Sequence, residues 1–520
     1  MLYDPGPAPY RPNGALTMFK SLFRLLRTAL GSVLLGLVLI LAGTYTWFLT
    51  RGPEPKVWHT AHLEQEFTVA RAGEVTSIAA YRQLEDRLFA ELKTKVLERV
   101  RPAERNPFNR YAAGSRSDPA VWPTNWDRSF EITPERPAGA ALLLHGLTDS
   151  PYSMRSIGEH LASKGLKVVG LRLPGHGTAP SGLLSFEVED MEAAVRMAMR
   201  DLRRQMGPDR PIYIVGYSNG AALAVEYSVS VLEGADLPKP AGIVLLSPAI
   251  GISPFAVIAR LRTGLSSVPG LGRAAWQVIE AEFDPYKYSS FSFHAAGETQ
   301  RLTSGLAKRV EKLAGGGLIR GFPPVLAFLS TVDATIVAPA VVDALFAHLA
   351  PESHELVLFD VNRYSDIQAL LVADPGPLTQ QLLSMPNRSF GLTVITNVDP
   401  GTLQVQELRA EPGSQSQASR PLALSWPAQV FSLSHVALPF PPDDPLYGYE
   451  AAGGRNHVQL GRVQVHGENG VLSIPDWVLT RQRSNPFHAY MIERIDGMVF
   501  GGQGTGAQDS GDAGLPHGST

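Results

Sequence analysis

Residues 211–228 read PIYIVGYSNGAALAVEYS, and the reading of the fold turns on them. The β-branched apolar run 212–215 predicts a buried strand, and the small-residue run from Ala221 predicts a helix. Between them, Gly216-Tyr217-Ser218-Asn219-Gly220 sets a serine between two glycines at a strand-to-helix junction. A turn this sharp brings neighbouring backbone close, where side chains would clash, so glycine suits both flanks. The helix N-terminus that follows favours negative charge developing near Ser218. An ordinary tight turn has the same pattern, and 49 glycines make chance matches common. The serine gains meaning only if the rest of the chain supplies its partners.

Working outward, short apolar runs alternate with amphipathic helices from residue 140 to about 349. Strands are predicted at 141–145, 166–173, 212–218, 241–248, 324–333 and 354–361, with helices at 152–163, 187–206, 219–232 and 338–350. This is the signature of βα units around a mostly parallel sheet with helices on both faces, an α/β fold. A long helical insert occupies about 250–320. Residues 366–425 are less regular, with one clear strand at 390–397. QVFSLSHV at 429–436 is the last strong apolar run, read as a strand. Upstream, 80–100 carries Leu84, Leu88, Leu92 and Val96 four residues apart, an amphipathic helix, and 101–135 is irregular. NPFNRY at 106–111 and NPFHAY at 485–490 echo one another without a surrounding repeat, which is read as coincidence.

A serine hydroxyl is a weak nucleophile and needs a base, an orienting acid and an oxyanion hole. In an elbow of this kind the chain order is serine, acid, histidine. One oxyanion donor is the N–H after the nucleophile, Asn219. LLLHGLTDSP, at 142–151, supplies a strand and then a loop whose Leu147 N–H is the expected second donor. For the acid, Asp333 leaves the strand at 324–333, where ligand chemistry gathers in open α/β sheets. Asp360 competes, and Asp366 and Asp374 lie in the irregular part. For the base, the histidines after Asp333 are His348, His354, His435, His457, His466, His488 and His517. His435 follows the run at 429–434 and enters a loop, which selects it, with His457 next. Asp443-Asp444 as a metal site is the weaker reading beside a rigid proline loop, and no cofactor or metal is expected.

LLLHGLTDSP, GLRLPGHGTAPSG (170–182), GYSNGA and STVDATIV occur in that order. Together they resemble the α/β-hydrolases of the serine aminopeptidase (S33)-like group, which includes monoacylglycerol lipases, lysophospholipases and carboxylesterases. The resemblance spans about 138–349, with His435 as an outlying match. It implies Ser218 as nucleophile, His435 as base, Asp333 as acid, and Leu147 and Asn219 as backbone donors. It also implies that 250–320 is a cap over the site, whose apolar residues include Phe255, Val257, Ile258, Leu261 and Trp276. The sequence departs from the group in one respect. The group's histidine follows the strand after the acid's helix, whereas His435 stands 102 residues (435 − 333) beyond Asp333. Residues 361–428 are therefore expected to be an insertion carrying at least one extra strand.

Composition bounds the rest. The chain has 520 residues, a formal net charge of −3, 18% charged residues and no cysteine. Disulfides, thiolate catalysis and cysteine metal sites are excluded. No basic cluster points to nucleic acid. Residues 29–49 carry no charge and, as a helix, would span about 31 Å, close to the hydrocarbon thickness of a bilayer. LAGT at 41–44 has threonine where a lipoprotein box has cysteine, and no A-x-A cleavage site follows, so an uncleaved anchor is expected. Lys20, Arg24 and Arg27 precede the span, and Arg51 and Lys56 follow it. The denser positive side predicts a cytoplasmic N-terminus and an extracytoplasmic main domain.

The expected organisation is a basic or disordered segment at 1–28, of which 1–17 is Pro/Gly-rich, and a transmembrane helix at 29–49. A linker with an amphipathic helix at 50–135 follows. An α/β-hydrolase domain at 136–500 and a disordered tail at 501–520 complete it. The expected activity is membrane-anchored hydrolysis of a carboxylic ester, lipid-like or small, through an acyl-enzyme. A peptidase or thioesterase of the same fold, or an inactive anchored binding protein, is the alternative.

Overall fold

A computed structural model describes residue 6 and residues 14–51, 53–250, 272–333, 338–364, 374–428, 430–451, 457–461 and 482–501; within 14–51, side chains are described at 23–40 and 43. The expected disorder at 1–13 and 502–520 lies outside the described residues, as do His466, His517, Asp366, and Phe255, Val257, Ile258 and Leu261 of the cap.

One ten-stranded sheet organises the domain. Its strands are β1 (Phe130–Ile132), β2 (Gly139–Leu144), β3 (Leu166–Leu171), β4 (Ile212–Tyr217), β5 (Gly242–Leu246), β8 (Val325–Ser330), β9 (Glu355–Phe359), β10 (Gly391–Asn397), β11 (Gln404–Ala410) and β12 (Ala418–Ser425). A separate hairpin pairs β6 (Trp276–Val278) with β7 (Phe291–Ser292). The order is β1-β3-β2-β4-β5-β8-β9-β10-β11-β12. Every neighbouring pair from β3 to β10 is parallel, while β1 and the β11–β12 ribbon add antiparallel edges. The chain runs from β2 to one side, then returns to place β4 on the other. This reversal is a topological switch point, where open α/β sheets bind ligands. The loops after β2 and β4 are the two that the sequence reading singled out.

Alternation along the strands builds two cores. Leu142, Leu144, Ile212, Ile214, Ile243 and Leu245 face one side. There they meet helices α2 (Ile78–Lys95), α4 (Val188–Met206), α5 (Asn219–Leu232), α6 (Phe293–Ala314), α7 (Ala338–Ala344) and α8 (Gly376–Leu383). Leu143, Val168, Val215, Val244 and Phe328 face the other. They pack under α3 (Arg155–Ser163) and α9 (His488–Phe500).

Several expectations are corrected. The N-terminal helix α1 runs over Gly14–Arg51, not 29–49, so 14–17 is helical rather than disordered. The segment between holds good helix formers, with Lys20, Arg24 and Arg27 no obstacle to a helix. It ends before Pro53 and Pro55, as expected. Its window Phe23–Ile40 has mean hydropathy 1.8 and none of it is buried, long and apolar enough to cross a membrane or to serve as a signal. The segment 366–425 holds three strands in its described part rather than one. The run at 429–436 is not a strand: its described residues are irregular, and His435 opens a short 3-10 turn, His435–Ala437. The run is apolar because it is buried, with a single bridge at Val430 among its described residues rather than a strand. The described part of the insert holds the β6–β7 hairpin as well as α6, so it is not purely helical.

Candidate active site

The elbow is built by exclusion. A Cβ on Gly216 would stand 2.5 Å from the Gly220 carbonyl oxygen, and one on Gly220 would stand 2.2 Å from that of Leu144. Ser218 is not a glycine, yet it sits at φ 54°, ψ −116°, a conformation that costs on the order of 1–3 kcal/mol and must be held from outside. Its N–H donates to the Leu246 carbonyl (2.8 Å) and its own carbonyl accepts from Ala221, Ala222 and Ala249 (3.0, 3.2 and 3.1 Å). The strain lifts the side chain off the end of β4.

His435 Nε2 lies 3.1 Å from Ser218 Oγ, and His435 Nδ1 lies 2.9 Å from Asp333 Oδ2. The Asp333 side chain is fully buried and that of His435 is 13% exposed. A carboxylate against Nδ1 holds the proton there and turns the Nε2 lone pair toward the serine. The Tyr217 ring packs on the imidazole, with centroids 5.4 Å apart. Thus residues 218, 333 and 435, expected on three separate segments, meet at one point.

Leu147 and Asn219 lie beside them, because β2 and β4 are paired in the sheet. Among the described residues neither backbone N–H meets an acceptor, so both remain free to bind a developing oxyanion. Thr148 takes a left-handed φ of 66° and shapes this loop. The loop is braced from two sides. Leu173 N–H donates to His145 Nε2 (3.0 Å), so His145 carries its proton on Nδ1, which donates to the Gly146 carbonyl (2.8 Å). Burial, followed by the neighbouring His176, holds the His145 pKa well below the usual histidine value. His176 is likewise lowered, to about 4, chiefly by burial, and bonds the Pro174 carbonyl at 2.8 Å. Both imidazoles are neutral struts.

The second brace comes from the cap. Lys287 Nζ meets Asp149 Oδ1 at 2.8 Å, and Tyr288 N–H donates to the Thr148 carbonyl at 2.8 Å. The Tyr288 hydroxyl accepts from Thr178 N–H at 2.7 Å. Sequence reasoning missed the roles of Lys287 and Tyr288. DPYKY carries no spacing that would single out a lysine, while Asp149 was visible inside LTDSP.

The competing residues stand elsewhere. Asp360 pairs with Arg363 and accepts from Thr396, and Asp374 pairs with Arg363. His457 stacks on Trp122 with centroids 4.3 Å apart. His354 opens β9, at the opposite end of the strands from Ser218, and His488 opens α9; both are buried. Asp444 accepts from Tyr152, Leu446 and Tyr447 and pairs with Arg155, so its oxygens are committed to holding the proline loop. Among the described residues, the acidic group close enough to share a cation is Glu187, Glu189 and Glu298. The Arg301 guanidinium already pairs with all three.

The family model described as Hydrolase_4, serine aminopeptidase, S33, matches residues 135–361. This segment is an S33-type α/β-hydrolase. The segment is related to monoacylglycerol lipases: a thermostable monoacylglycerol lipase of Bacillus sp. (strain H-257) is 25% identical over 217 residues, 42% of this chain and 78% of that protein. The monoacylglycerol lipase of Paleococcus ferrophilus aligns with 45% of this chain and 88% of its own, at 20% identity and a TM-score of 0.34. A soluble variant of the Saccharomyces cerevisiae monoglyceride lipase covers 45% and 82%, at 16% identity and the same TM-score. The family is one of esterase- and lipase-like serine hydrolases. His435 lies outside the matched segment.

Proposed function

We propose that this chain is a membrane-anchored serine hydrolase that cleaves a lipid-type carboxylic ester through an acyl-enzyme. The observation that carries the reading is the continuous relay Ser218 Oγ–His435 Nε2, 3.1 Å, and His435 Nδ1–Asp333 Oδ2, 2.9 Å. Ser218 Oγ attacks the ester carbonyl carbon while His435 Nε2 takes the hydroxyl proton. Asp333 stabilises the imidazolium, and the N–H groups of Leu147 and Asn219 receive the oxyanion. The C–O bond to the leaving alcohol breaks, and that alcohol takes the proton from His435. Water, deprotonated by His435, then attacks the acyl-enzyme and releases the acid and Ser218.

Two observations favour a lipid-type ester. Within Phe23–Ile40, the part after Arg27 presents unburied apolar side chains all round, including Leu30, Val33 and Leu34 at 61–69% exposure. A core helix would bury them; a bilayer would cover them. Lys20, Arg24 and Arg27, all before the uncharged run 29–49, orient the hydrolase domain to the extracytoplasmic face. The chain leaving this helix also packs directly on the cap hairpin. Arg273 donates to the Pro53 carbonyl (2.6 Å), and the His59 ring meets the Trp276 ring edge-on at 5.0 Å. Lys56 N–H donates to His59 Nδ1 (2.9 Å), so His59 Nε2–H donates to Ser290 Oγ (2.9 Å). The cap is thus fastened to the end of the anchor, next to any membrane the anchor enters.

A fluorophosphonate probe tests the chemistry. Labelling of the wild type and not of Ser218→Ala is expected; absence of labelling on folded protein sinks the proposal. A panel of p-nitrophenyl esters, monoacylglycerols, acyl thioesters and aminoacyl anilides then separates esterase from thioesterase and peptidase, which would use the same relay. Turnover confined to the anilides would overturn the ester assignment.

A further inference from the structure

We propose that Asn362 is the positioning residue that delivers His435 to Ser218; this rests on the catalytic reading above. His435 reaches the site only after β10, β11 and β12 have extended the sheet edge and the chain has come back. The returning segment is bridged at Val430 but, among the described residues, forms no strand of the sheet. Asn362, fully buried in the turn after β9, supplies the fastening. Its backbone N–H donates to the Phe431 carbonyl at 2.7 Å, and its side-chain Nδ2 donates to the Val430 carbonyl at 2.9 Å. These consecutive carbonyls lie four and five residues before His435.

The other end of the amide is held as firmly. Asn362 Oδ1 accepts from Tyr364 N–H and from Asn397 Nδ2, each at 3.1 Å. Asn397 in turn donates to the Thr402 carbonyl (2.8 Å) and accepts from Arg363 N–H (2.7 Å). The C-terminal ends of β9 and β10 therefore make one closed polar corner, with Asn362 as its link to the histidine segment. A donor is needed on one side and an acceptor on the other, which only a carboxamide provides at this length. Val430, Leu433 and Ala437 bury their side chains in the core beneath. Such packing is non-directional and sets depth rather than rotation. A catalytic relay must be held within roughly 0.5 Å, and the two hydrogen bonds from Asn362, with that from Ser434 Oγ to the Gln482 carbonyl (3.3 Å), provide that direction.

The test uses the full-length protein in detergent and four variants. Asn362→Leu keeps volume and removes the side-chain bonds. Asn397→Ala leaves Asn362 bonded to Val430 and Phe431 but removes one of the two donors to its Oδ1. Leu382→Ala, in the far core, is a stability control, and Ser218→Ala is the labelling blank. A displacement near 1 Å slows such a reaction about 10²-fold. Asn362→Leu should therefore lose roughly 10- to 100-fold in fluorophosphonate labelling rate and kcat, with KM within twofold of wild type. Asn397→Ala should show a smaller loss in the same direction, which keeps the test open if Asn362→Leu fails to fold. Leu382→Ala should lower Tm and leave kcat per labelled site in place. Wild-type labelling rates in both asparagine variants, or a loss of active fraction with wild-type kcat per labelled site, would overturn the proposal. A wild type that does not label brings down the catalytic reading instead, and this one with it.

Discussion

Gly220→Ala isolates what the elbow demands of its backbone. The added Cβ would stand 2.2 Å from the Leu144 oxygen, 2.6 Å from the Leu144 carbon and 2.7 Å from the His145 oxygen. An ordinary C···O contact is about 3.3 Å or more, so the overlap is about 1 Å. All three obstacles are backbone of β2 and its loop, which cannot turn aside as a side chain can. The start of α5 must retreat by a comparable distance, carrying the Asn219 N–H and Ser218 away from Leu147 and His435. Forced overpacking of this kind costs about 1–3 kcal/mol. A 1 Å displacement of the nucleophile costs about 10²-fold in rate. Scanning fluorimetry should show a lower Tm, and kcat for a p-nitrophenyl ester should fall about 100-fold with KM little changed, since the cap is untouched. Gly305→Ala is the matched opposite: nothing lies within 4 Å of its Cβ, in the middle of α6. It should stabilise by roughly 0.4–1 kcal/mol and leave kcat alone. A Gly220→Ala enzyme with wild-type Tm and kcat would refute the steric account of the elbow.

Three further outcomes follow from the geometry. Lys287→Met removes the cation from buried Asp149 and loosens the oxyanion loop. A kcat loss of about tenfold is expected, below the 10²–10³ of losing a donor outright, and an unchanged kcat would disconnect the cap from the loop. Burial lowers His59, His176, His354 and His488 from 6.5 to about 4. The unfolded chain takes up those protons first, so stability is complete above about pH 6.5 and drains away as pH falls toward 4. Tm measured from pH 7 to 4.5 should decline accordingly, and His354→Leu should flatten the decline; a steeper curve in that variant contradicts the assignment. Removal of residues 1–52 should free the enzyme from membranes at unchanged kcat on a short soluble ester. Removal of 1–60 also deletes His59 from Trp276 and Ser290 and Trp58 from its stack on Tyr111 and should lower Tm by several degrees, which equal melting of the two forms would disprove.

The parts of the fold legible in the sequence share one physical trait: both faces of the strand are buried. β2, β4, β5 and β8 are buried at every position, so they appear as unbroken apolar runs bounded by turns. Ser218, Asp333 and Leu147 could be proposed because each stands at or just beyond the end of such a run. β11 and β12 have an exposed face, QVQELRA and ASRPLALS, and Pro421 sits inside the edge strand. Their polar alternation on a sheet edge is close to that of loop. The run at 429–436 misled in the opposite sense, since buried coil and buried strand share a composition. What separates them is where the carbonyls go, and those of Val430 and Phe431 go to Asn362. In α9, Met491, Ile495 and Val499 recur every four residues and are buried, but Gly497 within so short a stretch weakens the helical signal.

The distance of His435 along the chain therefore has little bearing on its place in the site. Ser218, Asp333 and the oxyanion loop are bound to their strands, because each must leave a β-strand at a fixed height above the sheet. The base has no such obligation. It needs only to arrive at the carboxyl end of β8 with its ring between a carboxylate and a hydroxyl, and any segment crossing that end can bring it. The 101 residues between Asp333 and His435 (334–434) include α7, β9, α8 and three further strands, whose described side chains pack into the two cores of the sheet. What the detour removes is the strand that would otherwise aim the side chain, and a pair of directed hydrogen bonds from a buried amide is the least structure that restores it. On the proposed reading, the buried asparagine 73 positions (435 − 362) before the histidine is then a second point at which this site fails.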